Sequence, residues 1–111
     1  MDKRTDKIIK EYVAAASKEY PGLLKAYLFG SYARKTNNAA SDIDIALVID
    51  DLKDDDRFDL QVKLMLLASK YDTRIEPHPI SKEDFYSSKP FIAEIKRSGI
   101  EITLPVLFDT E

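Results

Sequence analysis

The chain has 111 residues, 44% apolar and 33% charged, a composition that allows one hydrophobic core and is too short for a catalytic domain joined to a separate recognition domain. It has no cysteine, which excludes a disulfide framework and a thiolate metal site. A formal charge of −3 argues against a broad nucleic-acid grip, which needs many Lys and Arg on one face. No apolar run approaches the ~20 residues that cross a bilayer, and MDKRTDKIIK lacks an apolar signal core, so a cytoplasmic protein is expected.

Residues 2–20 predict an amphipathic helix, with Ile8, Ile9, Tyr12, Val13, Ala16 and Tyr20 at three- and four-residue steps and Pro21-Gly22 as its stop. Leu24–Phe29 reads as a first strand, Ser31–Lys35 as a short helix, Thr36–Ala40 as a polar loop and Asp42–Ile49 as a second strand. The run Asp50–Asp56 reads as a solvated turn and helix N-cap rather than a metal site. A helix over Arg57–Tyr71 follows, apolar around most of its circumference, which implies burial on two sides, within the fold or against a partner. Thr73–Pro77 predicts a third strand that Pro77 and Pro79 make an edge or terminate, with Arg74 able to pair with Glu76 on one face. Ser81 reads as the N-cap of a short helix over Lys82–Ser87. Pro90–Ser98 is a further helix with Phe91, Ile92 and Ile95 inward and Gly99 as its cap, and Ile100–Leu104 is a last strand. The tail Val106-Leu107-Phe108 is read as a satellite of the core or a docking segment. The expected fold is α/β (α+β), a small mixed sheet flanked by helices.

The chemistry concentrates in Gly30 to Val48, GSYARKTNNAASDIDIALV. In a strand, alternate side chains share a face, so Asp42 and Asp44 project together about 6.6–6.8 Å apart along the backbone, a separation at which they can share a pair of divalent cations. Ile43 and Ile45 then face a core. The Gly30-Ser31 turn after Ala26-Tyr27-Leu28-Phe29 frees backbone N–H groups for phosphate oxygens. A phosphate cradle beside paired carboxylates is the equipment of phosphoryl or nucleotidyl transfer.

Each half of this pattern is weak alone. Together, a strand, Gly30-Ser31, ten residues, then Asp42-Ile43-Asp44 entering a second apolar strand behind Ser41 resembles the DNA polymerase β-like nucleotidyltransferase superfamily. Ala33-Arg34 and the Ser-Asp-Ile-Asp-Ile run are similar to its short prokaryotic branch, the minimal nucleotidyltransferases, and Ile75 to Ser81 also looks familial. The resemblance implies a palm-like nucleotidyltransferase fold over residues 1–111. It implies that Gly30 lets the backbone approach a triphosphate and that Ser31 donates to a phosphate oxygen. Arg34 and Ser41 are further nucleotide-binding candidates, Arg34 competing with a surface ion pair and Ser41 with a turn hydrogen bond.

The resemblance also implies that Asp42 and Asp44 bind two Mg²⁺ ions, one on the triphosphate side and one on the acceptor hydroxyl. Glu76 is the best match to the third carboxylate, as metal ligand or proton acceptor, with Asp72 as its competitor. Many relatives have Gly where this chain has Lys35. His78, the one histidine, reads as a surface or core residue rather than a base.

The implied activity is transfer of a nucleoside monophosphate, AMP from ATP, to an acceptor hydroxyl. The short branch implies an antitoxin that modifies a tyrosine of a helical HEPN toxin. Two alternatives stand: a non-catalytic module that neutralises its partner by covering it, and transfer to a small molecule such as an aminoglycoside. A homodimer is also expected from the apolar Arg57–Tyr71 helix.

Overall fold

The computed structural model describes residues 2–105. Helix α1 (Lys3–Glu19) precedes strand β1 (Leu23–Phe29), helix α2 (Gly30–Arg34), strand β2 (Ile43–Ile49) and helix α3 (Asp54–Ala68). Strand β3 (Ile75–Ser81), helices α4 (Lys82–Phe85) and α5 (Pro90–Ser98) and strand β4 (Ile100–Ile102) follow. The sheet order is β3-β2-β1-β4, with β1 antiparallel to β2 and β4, and β2 parallel to β3. This is the small mixed sheet flanked by helices that the sequence implies. No described helix is long and apolar enough to cross a membrane.

Period-two alternation divides the two faces of the sheet. Ile43, Ile45, Leu47 and Ile49 of β2 join Ala26 and Leu28 of β1, and α1 and α3 cover them with Ile9, Tyr12, Val13, Ala16, Leu64 and Ala68. On the other face, Phe29, Ala46, Val48 and Ile80 pack against Phe85, Ile92 and Ile95 from α4 and α5. Asp2 caps α1 by accepting the Thr5 N–H at 2.7 Å. The buried Tyr12 hydroxyl donates to the Leu64 carbonyl at 3.0 Å, tying α1 to α3, and burial pushes its pKa up.

Strand β3 is an edge strand, as its prolines imply, but it runs through both of them to Ser81 instead of ending at Pro77. Its outer carbonyls are satisfied from α3: Gln61 donates to the Pro77 carbonyl at 2.6 Å and Arg57 to the Pro79 carbonyl at 3.1 Å. Helix side chains thus cover an edge where two backbone N–H groups are missing. Ser81 does cap α4, accepting the Asp84 N–H at 3.0 Å.

Other expectations shift. Strand β2 begins at Ile43, so Asp42 sits just before it. Asp54, Asp55 and Asp56 form the first turn of α3, where carboxylates complement the helix dipole, and Lys53 occupies the cap position. Of α3, only Leu64 and Ala68 are buried, whereas Phe58 is 75% and Leu66 64% exposed, so the fold itself does not bury the helix on two sides. Phe91 is half exposed rather than inward, leaving Ile92 and Ile95 to the core. The tail Val106-Leu107-Phe108 lies outside the described residues.

Lys35 ends α2 in the left-handed region, at φ 61° and ψ 33°. An L-residue there costs about 1–2 kcal/mol, part of which glycine returns to the flexibility of the unfolded chain. Lys35→Gly is therefore expected to raise stability by roughly 0.5–1 kcal/mol, measured as a higher denaturant midpoint at unchanged slope.

Candidate active site

Three chain segments meet at one end of the sheet: the end of β1 with the start of α2, the start of β2, and the start of β3. The parallel register sets Asp44 beside Glu76 and Ala46 beside His78. The antiparallel register sets Phe29 opposite Asp44. Asp44, Glu76 and His78 therefore share the face that carries Phe29 and Ala46. Their side chains are 23%, 45% and 30% exposed, accessible to a substrate yet held by the sheet.

His78 Nε2 lies 3.1 Å from Asp44 Oδ1 and 3.6 Å from Glu76 Oε1. One ligand atom from each of the three falls within 4.8 Å of the others. The carboxylates provide hard oxygen donors of the kind Mg²⁺ takes alongside water and substrate phosphates. Asp42 is exposed and stands outside this group, at the same strand end.

Gly30 crowds the site from above. Its φ is +72°, and a Cβ there would lie 2.5 Å from Asp44 Oδ2. The position therefore needs glycine for both its backbone angle and its contact with the carboxylate. Ser31 follows as the second residue of α2, half-buried.

This geometry coincides with a family model, "Polymerase beta, Nucleotidyltransferase", that matches residues 9–103. The chain belongs to the polymerase beta nucleotidyltransferase family. Among proteins similar to this nucleotidyltransferase is MJ0604 of Methanocaldococcus jannaschii, which carries the name protein adenylyltransferase. The two are 43% identical over 81 residues, 72% of this chain and 77% of the relative.

Two solved structures share the fold. A toxin-antitoxin with AMP-PNP superposes with a TM-score of 0.59 at 25% identity, over 86% of this chain and 73% of that one. A mutant of the toxin-antitoxin MntA-HpeT superposes with a TM-score of 0.56 at 26% identity, over 91% and 72%.

The remaining candidates divide. Arg74 turns from Glu76 to Asp72: its Nε and NH2 donate to the two carboxylate oxygens at 3.0 and 2.8 Å, and its NH1 donates to the Tyr32 hydroxyl at 2.8 Å. The expected Arg74–Glu76 pair is thus replaced, and both Asp72 oxygens are engaged. These hydrogen bonds hold the Asp72 carboxyl below its ordinary pKa and raise that of Arg74. Since Tyr32 is the buried residue of α2, the chain Asp72–Arg74–Tyr32 fastens the Gly30-Ser31 helix to the approach to β3.

Ser41 accepts the Asn38 N–H at 2.9 Å, so its oxygen braces the loop before Asp42. Arg34 is exposed at the end of α2 and forms no ion pair among the described residues, although its charge contributes to lowering the Glu94 pKa. His78, read from the sequence as a surface or core residue rather than a base, lies beside Asp44 and Glu76. The available signal was alternation: once β3 continues past Pro77, His78 falls on the same face as Glu76.

Proposed function

We propose that this nucleotidyltransferase acts as one domain over residues 1–111 and moves AMP from ATP to a hydroxyl of a partner protein, as the antitoxin of a toxin–antitoxin pair. The observation that carries the reading is Asp44 beside Glu76 in a parallel ladder, under a glycine whose positive φ and close approach to the Asp44 carboxylate both exclude a side chain. It is supported by the relative named for protein adenylyltransferase and by the toxin-antitoxin structures with the same fold.

In this reading Gly30 leaves the backbone open to the triphosphate, Ser31 donates to a phosphate oxygen, and Arg34 meets phosphate charge from the rim. Asp42, Asp44 and Glu76 would hold Mg²⁺, as two ions, which when bound neutralises triphosphate charge and lowers the pKa of the acceptor hydroxyl. Glu76 is the most exposed carboxylate of the cluster and takes the hydroxyl proton. The acceptor oxygen bonds to the α-phosphorus, the bond to the β-phosphate bridge breaks, and pyrophosphate leaves. Ser41 would assist through the loop it braces rather than by touching the nucleotide.

The acceptor we favour is a tyrosine of a helical, HEPN-type toxin, modified in the cytoplasm where ATP is plentiful. The exposed apolar residues Phe58, Val62, Met65 and Leu66 give α3 a stripe on which a partner helix can lie. Incubation with labelled ATP, Mg²⁺ and the neighbouring-gene product is expected to place label on a partner tyrosine, identified by mass spectrometry. Transfer that persists in the Asp42→Asn plus Asp44→Asn double variant would overturn the mechanism. Light scattering on the isolated chain at micromolar concentration addresses the homodimer: a monomer mass counts against it, and a dimer mass supports it.

A further inference from the structure

We propose that His78 is a metal ligand of this site and sets its ion preference, favouring transition-metal dications over Mg²⁺. The inference rests on the reading above that Asp44 and Glu76 hold a divalent cation. It goes beyond that reading by adding a nitrogen donor to an otherwise all-oxygen site.

The spacing fits one shared ion. An octahedral ion with ligands at about 2.1 Å has neighbouring donors roughly 3 Å apart and opposite donors roughly 4.2 Å apart. His78 Nε2 lies 3.1 Å from Asp44 Oδ1 and 3.6 Å from Glu76 Oε1, and the three donors stay within 4.8 Å of one another. A cation placed among them would take over the contact that His78 makes with Asp44.

The imidazole is also held in place. Its ring meets Phe29 at 5.0 Å between centroids in an edge-on contact, and Phe91 closes a further side at 6.4 Å. Pro77 and Pro79 flank it, each with φ fixed by its ring, and Gln61 and Arg57 anchor their carbonyls. A ligand so constrained loses little freedom on binding. Mg²⁺ gains little from imidazole because it is a hard ion that favours oxygen, whereas affinity for nitrogen-containing sites rises along the first transition row from Mn²⁺ through Co²⁺.

The test uses Co²⁺ and Mg²⁺ with the full chain, by calorimetry and by proton NMR of the sole histidine, whose imidazole signals are unambiguous. Wild type is expected to bind Co²⁺ at least about 10-fold more tightly than Mg²⁺, with the imidazole protons shifted far outside their diamagnetic range. His78→Gln keeps a polar group near Asp44 and should bring Co²⁺ to within about threefold of Mg²⁺ while Mg²⁺ affinity holds. A histidine that only positions Asp44 predicts something else: equal losses for both ions in His78→Gln, with the Co²⁺-to-Mg²⁺ affinity ratio unchanged from wild type. That result would overturn the proposal. Wild type that binds neither ion, and matches Asp44→Asn in that respect, would instead bring down the metal-site reading underneath, and this inference with it.

Discussion

Asp44→Asn is expected to lower AMP transfer on the order of 10³-fold or more, with little change in the apo protein's melting temperature. Asp44 is the least exposed of the three donors, its carboxylate lies within 4.8 Å of ligand atoms on both Glu76 and His78, and Gly30 is shaped around its second oxygen. An asparagine keeps the size and an oxygen toward His78 but loses the charge that binds a dication. Removing one of two neighbouring negative charges also relieves repulsion in the apo state, so the fold is not expected to suffer. A cation that binds only the folded form stabilises it, so Mg²⁺ should raise the melting temperature of wild type and not of the variant. Asp42→Asn, exposed and outside the cluster, should cost less, on the order of 10²-fold. Retention of more than a tenth of wild-type transfer by Asp44→Asn would remove this carboxylate from the mechanism.

What the sequence made legible follows from the range of each interaction. The strands β1 and β2 and the helices α1 and α5 come from local periodicity and from Pro and Gly punctuation, so they appear within a few residues of their true bounds. The adjacency of Asp44 and Glu76 does not come from spacing, because it depends on a parallel register between strands 32 positions apart, and family likeness alone pointed to it. His78 was hidden for a related reason. Two prolines locally argue that a strand is ending, but here Arg57 and Gln61, 22 and 16 residues away, cover the edge and let it continue. Arg74 had two carboxylates at equal distance in sequence, and it went to Asp72, whose Oδ1 also accepts the Arg74 backbone N–H in a turn and whose two oxygens both take the guanidinium. The outer face of α3 marks a different limit. Apolar composition states that Phe58 and Leu66 gain by burial, and it is silent on whether this chain or another buries them.

Gly30→Ala should damage activity out of proportion to its size, because it disturbs the cradle and the Asp44 carboxylate together. Two costs act at one atom. The backbone angle of +72° lies where an L-residue costs about 1–2 kcal/mol. The new methyl would also sit 2.5 Å from Asp44 Oδ2 and 3.3 Å from Asp44 Cγ, a contact closer than any side chain tolerates, so the carboxylate must move. The backbone cost should lower the melting temperature by roughly 4–8 °C per kcal/mol for a domain of this size. The carboxylate shift acts on chemistry, where a displacement of about 1 Å can cost 10²-fold. Together they predict a loss of transfer on the order of 10²-fold in protein that is still folded at assay temperature. Gly22→Ala supplies the control. Its methyl would meet the Asp50 carbonyl at 3.4 Å, an ordinary contact at a turn remote from the site, and transfer should stay within about twofold of wild type. If Gly30→Ala transferred AMP as well as Gly22→Ala, the backbone at Gly30 would have no part in holding the triphosphate, and phosphate binding would have to be sought at Arg34 and beyond.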